Sequence, residues 1–384
     1  MVKNSGLINL GYDPGRHFVK IYMDCGKKYM NMNVVSAGFE RRLLTEEEGD
    51  AQNYLDVEVY RAGDLLGRFF VGGMALSNNS GDLRWSTRAT PKFSDVDVVP
   101  DDIIKMATNI AYTQYKRGQK NTIRIRLCTG SATEDYFENP KVLETFKATL
   151  GVPYTVKFLH PMFDGAEVEI HFEEISFRPE GTSTVISSCY DDNLKTREYV
   201  QKVITAGMNI IGFNIGSTTS DAAIMKPDMT FESKGFFGVE VGTNDALNKI
   251  RRILKSEYQY DVNSFKLAYM IQNYSEINYR GKKINLENIK KAPFDSLFAS
   301  LKTQFFDQCD LRGLDVGEAG AFVVAGGGVL ELGTKLDKFI TGVPTIIDPD
   351  PLFQDARGYW LETKFAEMKA KMKDADIFEK EDEG

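Results

Sequence analysis

The first 75 residues contain short runs in which apolar and polar residues alternate between clusters of turn-forming residues. Alternation with a period of two predicts β-strands, and the runs here are GLINLGYD, FVKIYMD, YMNMNVV, LDVEVYRAG and LGRFFVGG. From about Pro100 to Gly118 the apolar residues recur three and four positions apart, which predicts a helix. Strands around TIRIRLCTG, YTVKFL and AEVEIHFEEISF then alternate with a helix after Pro140 and a helical stretch from Thr182 to about Thr205. This alternation is typical of layered α/β architectures.

The pattern restarts at Met208. A strand, MNIIGFNIG, leads through a glycine turn into a second strand, SDAAIMK, and then into a helix over Thr243 to Tyr258. A long helix is predicted over Leu286 to Cys309, and the apolar strand AFVVA leads into three glycines. A last helix of about fifteen residues is predicted from near Asp355, before an acidic tail expected to fray. The second half therefore reopens with the same strand, turn and strand as the first.

Composition narrows the classes of function. At 384 residues and 42% apolar positions, the chain can bury cores for more than one domain. The 55 acidic and 47 basic residues give a net charge of -8, so we expect no direct nucleic-acid partner. No apolar run approaches the roughly 20 residues that span a bilayer, so we expect no membrane partner and a cytoplasmic location. The four cysteines and three histidines are scattered, which disfavours a zinc site, a disulfide framework and a Ser-His or Cys-His nucleophile.

Three glycine-bearing turns each follow an apolar strand, at residues 11–20, 214–221 and 325–332. A tight turn at the end of a strand exposes backbone N–H groups and has no Cβ to block close approach, which is how proteins cradle a polyphosphate. A single such turn is more often only structural. Two of them, each opening one half of the chain, predict a clasp on phosphates from two sides, with the third turn taking the nucleoside.

This arrangement resembles the actin superfamily. From Gly212 to the end the chain is most similar to the bacterial plasmid-segregation actins of the ParM (StbA) family, with VEVGTNDALNKI, VVAGGGVLEL and DPDPLFQDARGYWL in the family's motif order. Residues 36–100 match only loosely. The resemblance implies an actin-like fold, in which two related α/β domains flank a nucleotide cleft. The first domain is expected to comprise residues 1–187 with 345–384, and the second residues 188–344.

The resemblance also implies an activity and partners. An actin-like ATPase of this family binds ATP (or GTP) with Mg²⁺ and polymerises into dynamic filaments. Such filaments move plasmid copies apart through a DNA-binding adaptor protein on a plasmid centromere. We therefore expect the chain's partners to be other copies of itself and an adaptor.

Residues of the first turn carry over individually. Asp13 corresponds to the aspartate that faces Mg²⁺ through water, and one carboxylate with several waters suits that ion; its alternative is a turn cap. Lys20 corresponds to the lysine that reaches a phosphate, with an ordinary strand lysine as the alternative. Gly15 opens the turn. Arg16 and His17 depart from the family's small hydroxyl residues, so Arg16 either contacts a phosphate or points to solvent.

The second turn carries over more completely, because Gly216, Ser217, Thr218 and Thr219 match the cradle of backbone N–H groups and hydroxyls. Asn214 stands where the family has a catalytic aspartate. Asparagine keeps an acceptor for a metal-bound water and loses the charge. Asp221 matches a second family aspartate, either as a metal ligand or as a structural hydrogen-bond acceptor.

The remaining candidates come from three other segments. Glu180 resembles the family's glutamate after proline, whose carboxylate orients the attacking water; its alternative is a first-turn glutamate favoured by the helix dipole. Gly326, Gly327 and Gly328 correspond to the adenosine loop, and Gly242 is expected to form another wall of the cleft.

Three other functions stay open. A soluble actin-fold phosphotransferase, such as a sugar or acetate kinase, shares the phosphate loops. It usually has a further catalytic aspartate, for which only Asp13 and Asp221 are candidates. A chaperone-like ATPase has a peptide-binding domain for which this chain leaves no room. A weakly hydrolysing nucleotide-binding scaffold is favoured by Asn214.

Overall fold

The computed structural model describes residues 6–41, 49–78, 82–85, 100–115, 118, 120–131 and 133–382. Within these residues, nine strands form one sheet in the order β3-β2-β1-β7-β9-β8-β5-β6-β4. Strands β1, β7 and β9 are parallel to one another, and the remaining pairs are antiparallel. The strands are β1 (Ile8–Pro14), β2 (Phe18–Met23), β3 (Lys27–Met32), β4 (Val35–Ala37), β5 (Leu55–Arg61), β6 (Asp64–Val71), β7 (Lys120–Ser131), β8 (Tyr154–Phe158) and β9 (Glu167–Pro179).

A second sheet of five strands has the order β12-β11-β10-β15-β16 in the described part of the chain. It repeats the start of the first sheet: an antiparallel hairpin, β10 with β11, continues into two parallel strands, β15 and β16. The predicted restart of the pattern at Met208 is thus confirmed. Strands β13 and β14 form a separate hairpin. The strands are β10 (Asn209–Ile215), β11 (Ser220–Met225), β12 (Phe237–Val239), β13 (Glu276–Tyr279), β14 (Lys282–Asn285), β15 (Ala319–Ala325) and β16 (Thr345–Ile347).

The helices follow most of the predicted positions. They are α1 (Gly73–Ser77), α2 (Asp101–Gln114), α3 (Thr133–Glu138), α4 (Pro140–Leu150), α5 (Thr182–Cys189), α6 (Glu198–Thr205), α7 (Thr243–Tyr258), α8 (Ser264–Asn273), α9 (Leu286–Arg312), α10 (Gly328–Leu332) and α11 (Gln354–Asp382). Short 3₁₀ helices cover Asp24–Gly26, Ala51–Tyr54, Pro161–Phe163, Ser233–Gly235, Val316–Glu318 and Gly333–Lys338.

Helices α5 and α11 lie between the two sheets. Every residue of α5 is buried, and it packs on β10, β11 and β15 on one side and on α11 on the other. Helix α11 packs in turn on β1 and β7. The approach is close enough to require glycine: a Cβ on Gly11 would lie 2.0 Å from the Ala356 carbonyl oxygen, and one on Gly358 would lie 2.1 Å from the Ser183 carbonyl oxygen. The C-terminal helix therefore returns to the first sheet.

Three predicted elements differ in the structure. The helical stretch from Thr182 to Thr205 is two helices, because Asp191 Oδ1 accepts from the backbone N–H groups of Asn193 and Lys195 and closes a turn between them. The run YMNMNVV divides into β3 and β4, which pair with different strands, β2 and β6 respectively.

The last helix has 29 residues and continues to Asp382 where fraying was expected. No glycine or proline follows Gly358 before that point, and good helix formers with charge pairs such as Glu367–Lys371 extend it. Helix α8 and the hairpin β13–β14 were not predicted. Among the described residues, no helix is both long and apolar enough to cross a membrane.

Candidate functional site

A cavity of about 250 Å³ lies where the β1–β2 turn of the first sheet faces the β10–β11 turn of the second. Most of the residues predicted from the sequence line this one cavity, although they come from four separate segments. They are Asp13, Gly15, Arg16, Lys20, Glu180, Asn214, Gly216, Ser217, Thr218, Thr219, Asp221, Gly326 and Gly327.

The two hairpins have the same register. Pro14 pairs with Val19 and Ile215 pairs with Ser220, so each pair closes a turn of four residues. The next pair back from each turn holds the polar candidates. It is Asp13 with Lys20 in the first hairpin, and it is Asn214 with Asp221 in the second.

Asn33 holds the first turn from behind. Its side-chain Nδ2 donates to the Gly15 carbonyl at 2.7 Å, and its backbone N–H donates to the His17 carbonyl at 2.8 Å. The C=O and N–H of one trans peptide group point in opposite directions. The N–H groups of Arg16 and Phe18 therefore point away from Asn33, and both residues line the cavity. Sequence reasoning missed Asn33, because this residue is neither a glycine nor charged and lies outside the glycine-bearing turns.

The N-terminus of helix α7 holds the second turn in the same way. The N–H of Thr243 donates to the Gly216 carbonyl at 3.0 Å, and the N–H of Asn244 donates to the Ser217 carbonyl at 2.8 Å. The N–H groups of Ser217 and Thr218 consequently point away from the helix, and both residues line the cavity. Backbone N–H groups of both turns can thus serve one anionic ligand.

Gly242 has a structural role beside the second turn. It lies behind the described lining of the cavity, where an added Cβ would come within 2.6 Å of Ser217 and of the Thr218 nitrogen. The absence of a side chain lets the start of α7 approach the second turn. The structure shows that Gly242 contributes to the backing of that turn, and that it also forms a wall of the cleft stays a prediction.

Asp13 and Lys20 form an ion pair across the first hairpin, with Lys20 Nζ 2.7 Å from Asp13 Oδ2. Both side chains are largely buried. Burial by itself lowers the pKa of Lys20, but the adjacent Asp13 carboxylate outweighs it, and the net pKa of the lysine is raised. Lys20 therefore stays positively charged next to the first turn, in an ion pair with Asp13.

Glu180 lies between the end of β9 and the start of α5. Its N–H donates to the Ser131 carbonyl at 2.8 Å, and its own carbonyl accepts from Thr133 Oγ1 at 3.2 Å. Gly181, the N-cap of α5, has a φ of +87° and packs against Ala222 of strand β11. Glu180 thus precedes the N-cap and is not a first-turn glutamate, and it lines the cavity while 8% exposed.

Asp221 is tied to the other side of the cleft. Its Oδ1 accepts from the Thr133 N–H at 3.1 Å, and Thr133 begins α3 beside the first sheet. This contact is the structural hydrogen bond considered as the alternative to a metal-ligating role. The residue is 2% exposed and still lines the cavity.

Asp355 is a fourth carboxylate of the cavity, and sequence reasoning did not include it in the site. Its Oδ1 accepts from Ser183 Oγ and Thr184 Oγ1, each at 2.8 Å, so it fixes the first turn of the helix that follows Glu180. Burial first and the nearby Asp13 second raise the pKa of Asp355 to about 7.

The glycine loop after β15 packs over strand β10. Gly326 has a φ of +90°, and an added Cβ would lie 2.4 Å from Asn214 Oδ1. Gly327 lines the cavity, whereas Gly328 lies behind the described lining and meets the Ile215 side chain. That all three glycines bind the nucleotide stays a prediction. Asn214 Oδ1 is buried and accepts no hydrogen bond from the described residues.

The part of the cavity away from the two turns, called its far or apolar end, is lined mainly by apolar residues. Its residues come from α7, α8, α9 and the loop before α11, and polar groups are few there. Glu331, which also lines it, pairs with Lys290 at 2.9 Å. None of the six residues below was predicted, and three of them belong to α8, which was itself not predicted. The residues concerned are Leu247, Ala268, Ile271, Gln272, Phe294 and Leu352.

The cavity has side-chain oxygen atoms that could bind a divalent cation. Within the described residues no three His, Cys, Asp or Glu side chains converge as a ready metal cage. The carboxylates of Asp13, Asp221, Glu180 and Asp355 do line one cavity, and Asn214 offers an unused buried oxygen. Hard oxygen donors of this kind fit Mg²⁺, which proteins usually hold through one or two carboxylates, waters and substrate phosphates.

Known proteins are similar to this chain in structure. No family model matches the sequence, and no curated protein matches it. Solved structures do match. A ParM filament of 15 strands from Clostridium botulinum aligns with a TM-score of 0.71 at 16% identity, covering 94% of this chain and 99% of that chain.

Two further structures give similar values. An archaeal actin homolog aligns with a TM-score of 0.69 at 16% identity, over 92% of this chain and 98% of that chain. A ParM from Bacillus thuringiensis solved with AMPPNP aligns with a TM-score of 0.68 at 17% identity, over 94% and 99%. The predicted fold class is thus confirmed: the chain has the actin-like fold that ParM proteins and the archaeal actin homolog share.

Proposed function

We propose that the chain is an actin-like ATPase that binds ATP (or GTP) with Mg²⁺ between its two sheets. The observation that carries the proposal is the pair of four-residue turns whose carbonyls are held from behind, by Asn33 in one and by α7 in the other. The N–H groups of the same peptide groups point away from these supports, and the residues that carry them line the cavity, as the binding of a polyphosphate requires. The apolar far end of the cavity, with Gly327 on its wall, suits a base and sugar.

In this proposal different residues have different roles in the hydrolysis of the terminal phosphate bond. Lys20 and the N–H groups of the two turns bind the phosphates, and Glu180 orients the attacking water. Asp13 holds Mg²⁺ through water, with Asn214 or Asp221 as a further oxygen donor. The ion, when bound, neutralises phosphate charge.

We propose further that the protein assembles into filaments which hydrolysis makes unstable, and that an adaptor links them to a plasmid centromere. Support comes from the likeness to a protein that is itself a ParM filament. The net charge of -8 argues against direct attraction to DNA. The domain division belongs to the same proposal: residues 1–187 with 345–384, and residues 188–344.

Sedimentation of the purified protein tests assembly. With ATP or GTP and Mg²⁺ we expect a polymer that pellets, and without nucleotide we expect none. Transfer of phosphate to a sugar or carboxylic acid, with no polymer at any concentration, would instead identify a soluble phosphotransferase.

Glu180→Ala tests the hydrolytic site. Because the water loses its orienting carboxylate, we expect phosphate release to slow by about 100-fold, with assembly retained. Glu198→Ala serves as the control, since Glu198 is an exposed residue of α6. Equal rates in both variants would remove Glu180 from the mechanism, and slow release in the unmodified protein itself would favour the scaffold alternative.

A further inference from the structure

Helix α8 divides its apolar residues between two clusters. Leu267, Ala268, Met270 and Ile271 join the core beneath the second sheet. Phe265, in the first turn of the same helix, is only 2% exposed and joins a different cluster. The partners of Phe265 there come from around strands β4 and β6 and from helix α1, all on the first sheet: Val34, Phe70, Met74 and Ala75.

The start of α8 is well defined, which fixes where Phe265 lies. The N-cap Asn263 accepts from the Lys266 N–H through Oδ1 at 2.8 Å. One turn further on, Ala268, Ile271 and Gln272 line the apolar end of the cavity. A single short helix thus provides part of the cavity wall and also inserts one side chain, Phe265, among apolar residues of the first sheet. We call this side chain the plug.

Phe265 also touches the first phosphate turn. The His17 ring meets it edge to face, with centroids 5.3 Å apart and planes at 88°. Trp85 packs on Phe265 in a similar way at 5.5 Å. Burial, with a smaller effect of Lys20, lowers the pKa of His17 to about 4, so the ring is neutral at neutral pH and packs as an aromatic group.

We propose that Phe265 is a positioning residue for triphosphate binding, which holds the first phosphate turn opposite the second by plugging α8 into the first sheet. The inference rests on the proposed nucleotide site. His17 is the link, because it lies inside the turn whose carbonyls Asn33 holds. The plug keeps both turns and the α8 wall facing one cavity, and without it only a fraction of molecules has the first turn in place.

Two ligands separate this role from a general packing role. ATP with Mg²⁺ needs both turns, whereas adenosine has no phosphates and needs only the apolar end of the cavity. A molecule that spends a tenth of its time with the turns opposed binds tenfold more weakly. For Phe265→Ala we therefore expect the dissociation constant for ATP to rise about 10-fold and that for adenosine to change less than about 2-fold.

Two further variants complete the design. Met74→Ala enlarges the socket from the first sheet and should reproduce the selective loss, at about 5-fold, even if Phe265→Ala does not fold. Phe305→Leu is the control, because it alters a buried phenylalanine of the core beneath the second sheet, where its ring packs on Phe213 and Phe322. GTP and guanosine are titrated in parallel.

Each outcome has one meaning. Selective loss of triphosphate affinity in Phe265→Ala or Met74→Ala supports the positioning role. Equal losses for ATP and adenosine, or no loss, overturn it, since Phe265 would then only stabilise the fold or α8. If the unmodified protein binds none of these ligands, the proposed nucleotide site itself is wrong.

Discussion

The turn after β1 and the turn after β10 have the same length and register but are held by different parts of the chain. The second is held by backbone N–H groups of the helix that follows its own hairpin unit, at Thr243 and Asn244. The first is held by one asparagine and by a ring from the opposite side of the cleft, through Asn33 and Phe265. The second turn is therefore preformed within its own sheet, whereas the first depends on how the two sheets face each other.

The pairs behind the turns differ in charge. Asp13 and Lys20 neutralise each other across the first hairpin. The corresponding positions of the second hairpin hold a neutral Asn214 and an acidic Asp221. Since Asn214 Oδ1 lies against Gly326, this side chain contributes to packing under the glycine loop. The comparison assigns the ion pair, and with it the proposed metal-facing carboxylate, to the first hairpin and most of the rigidity to the second.

Truncating the corresponding residue of each hairpin, Asp13 in the first and Asn214 in the second, gives the largest expected difference. Asp13→Ala deletes the proposed water-mediated metal ligand and leaves Lys20 buried without its partner, and we expect phosphate release to fall by about 100-fold or more. Asn214→Ala at the corresponding position removes no charge and should cost about 10-fold at most. Release from saturating ATP and Mg²⁺ is the measurement. Similar losses in the two variants would contradict the division of charge.

Truncating the two supports tests the division of rigidity. Asn33→Ala removes the donor to the Gly15 carbonyl, and we expect ATP to bind about 10-fold more weakly, which corresponds to roughly 1.4 kcal/mol. Asn244→Ala is the matched comparison, because it removes only a long hydrogen bond, 3.4 Å from Nδ2 to Thr218 Oγ1, while the N–H that holds the Ser217 carbonyl belongs to the backbone and survives. Its ATP affinity should change by less than about 2-fold.

Titration calorimetry with a non-hydrolysable ATP analogue measures both affinities directly. If Asn244→Ala weakens binding as much as Asn33→Ala, then side chains support both turns equally. The proposed asymmetry would be wrong in that case.

The sequence was most informative where the structure is local. A strand, a glycine turn and a strand form a hairpin from residues within about ten positions, so both hairpins were predicted, and the family resemblance then singled out Asp13, Lys20, Asn214 and Asp221 on them. The groups that support these hairpins lie further apart in the sequence. Asn33 reaches Gly15 across 18 positions, and Asp355 reaches Ser183 across 172. No spacing rule reports contacts of that kind.

Helix α8 was missed for a physical reason of its own. It has ten residues, and its apolar side chains face two clusters on different sides, so a single apolar stripe is not present. The glycines show the same limit. The sequence marks Gly242 and Gly328 as places where space is needed, but only the structure shows that backbone and Ile215 use that space.

The smallest expected effect is on the pH dependence of the free energy of unfolding, to which Asp355 and His17 contribute near the first hairpin. The pKa of Asp355 is about 7 in the folded chain and about 3.9 when unfolded. The folded state therefore binds more protons between these values, and stability falls as the pH rises through them. His17 acts in the opposite sense, because its pKa of about 4 lies below the unfolded value of about 6.5. Its contribution is present above pH 6.5 and is lost towards pH 4.

Asp355→Asn separates these two contributions. Asparagine keeps an acceptor for Ser183 and Thr184 and does not titrate. Between pH 5.5 and 6.5 we expect the free energy of unfolding to be nearly constant in the unmodified protein, and to rise by about 1 kcal/mol in the variant, where only His17 still titrates. Urea unfolding without nucleotide measures the difference. A pH profile that is the same in both proteins would mean that Asp355 is already ionised beside the Asp13–Lys20 ion pair.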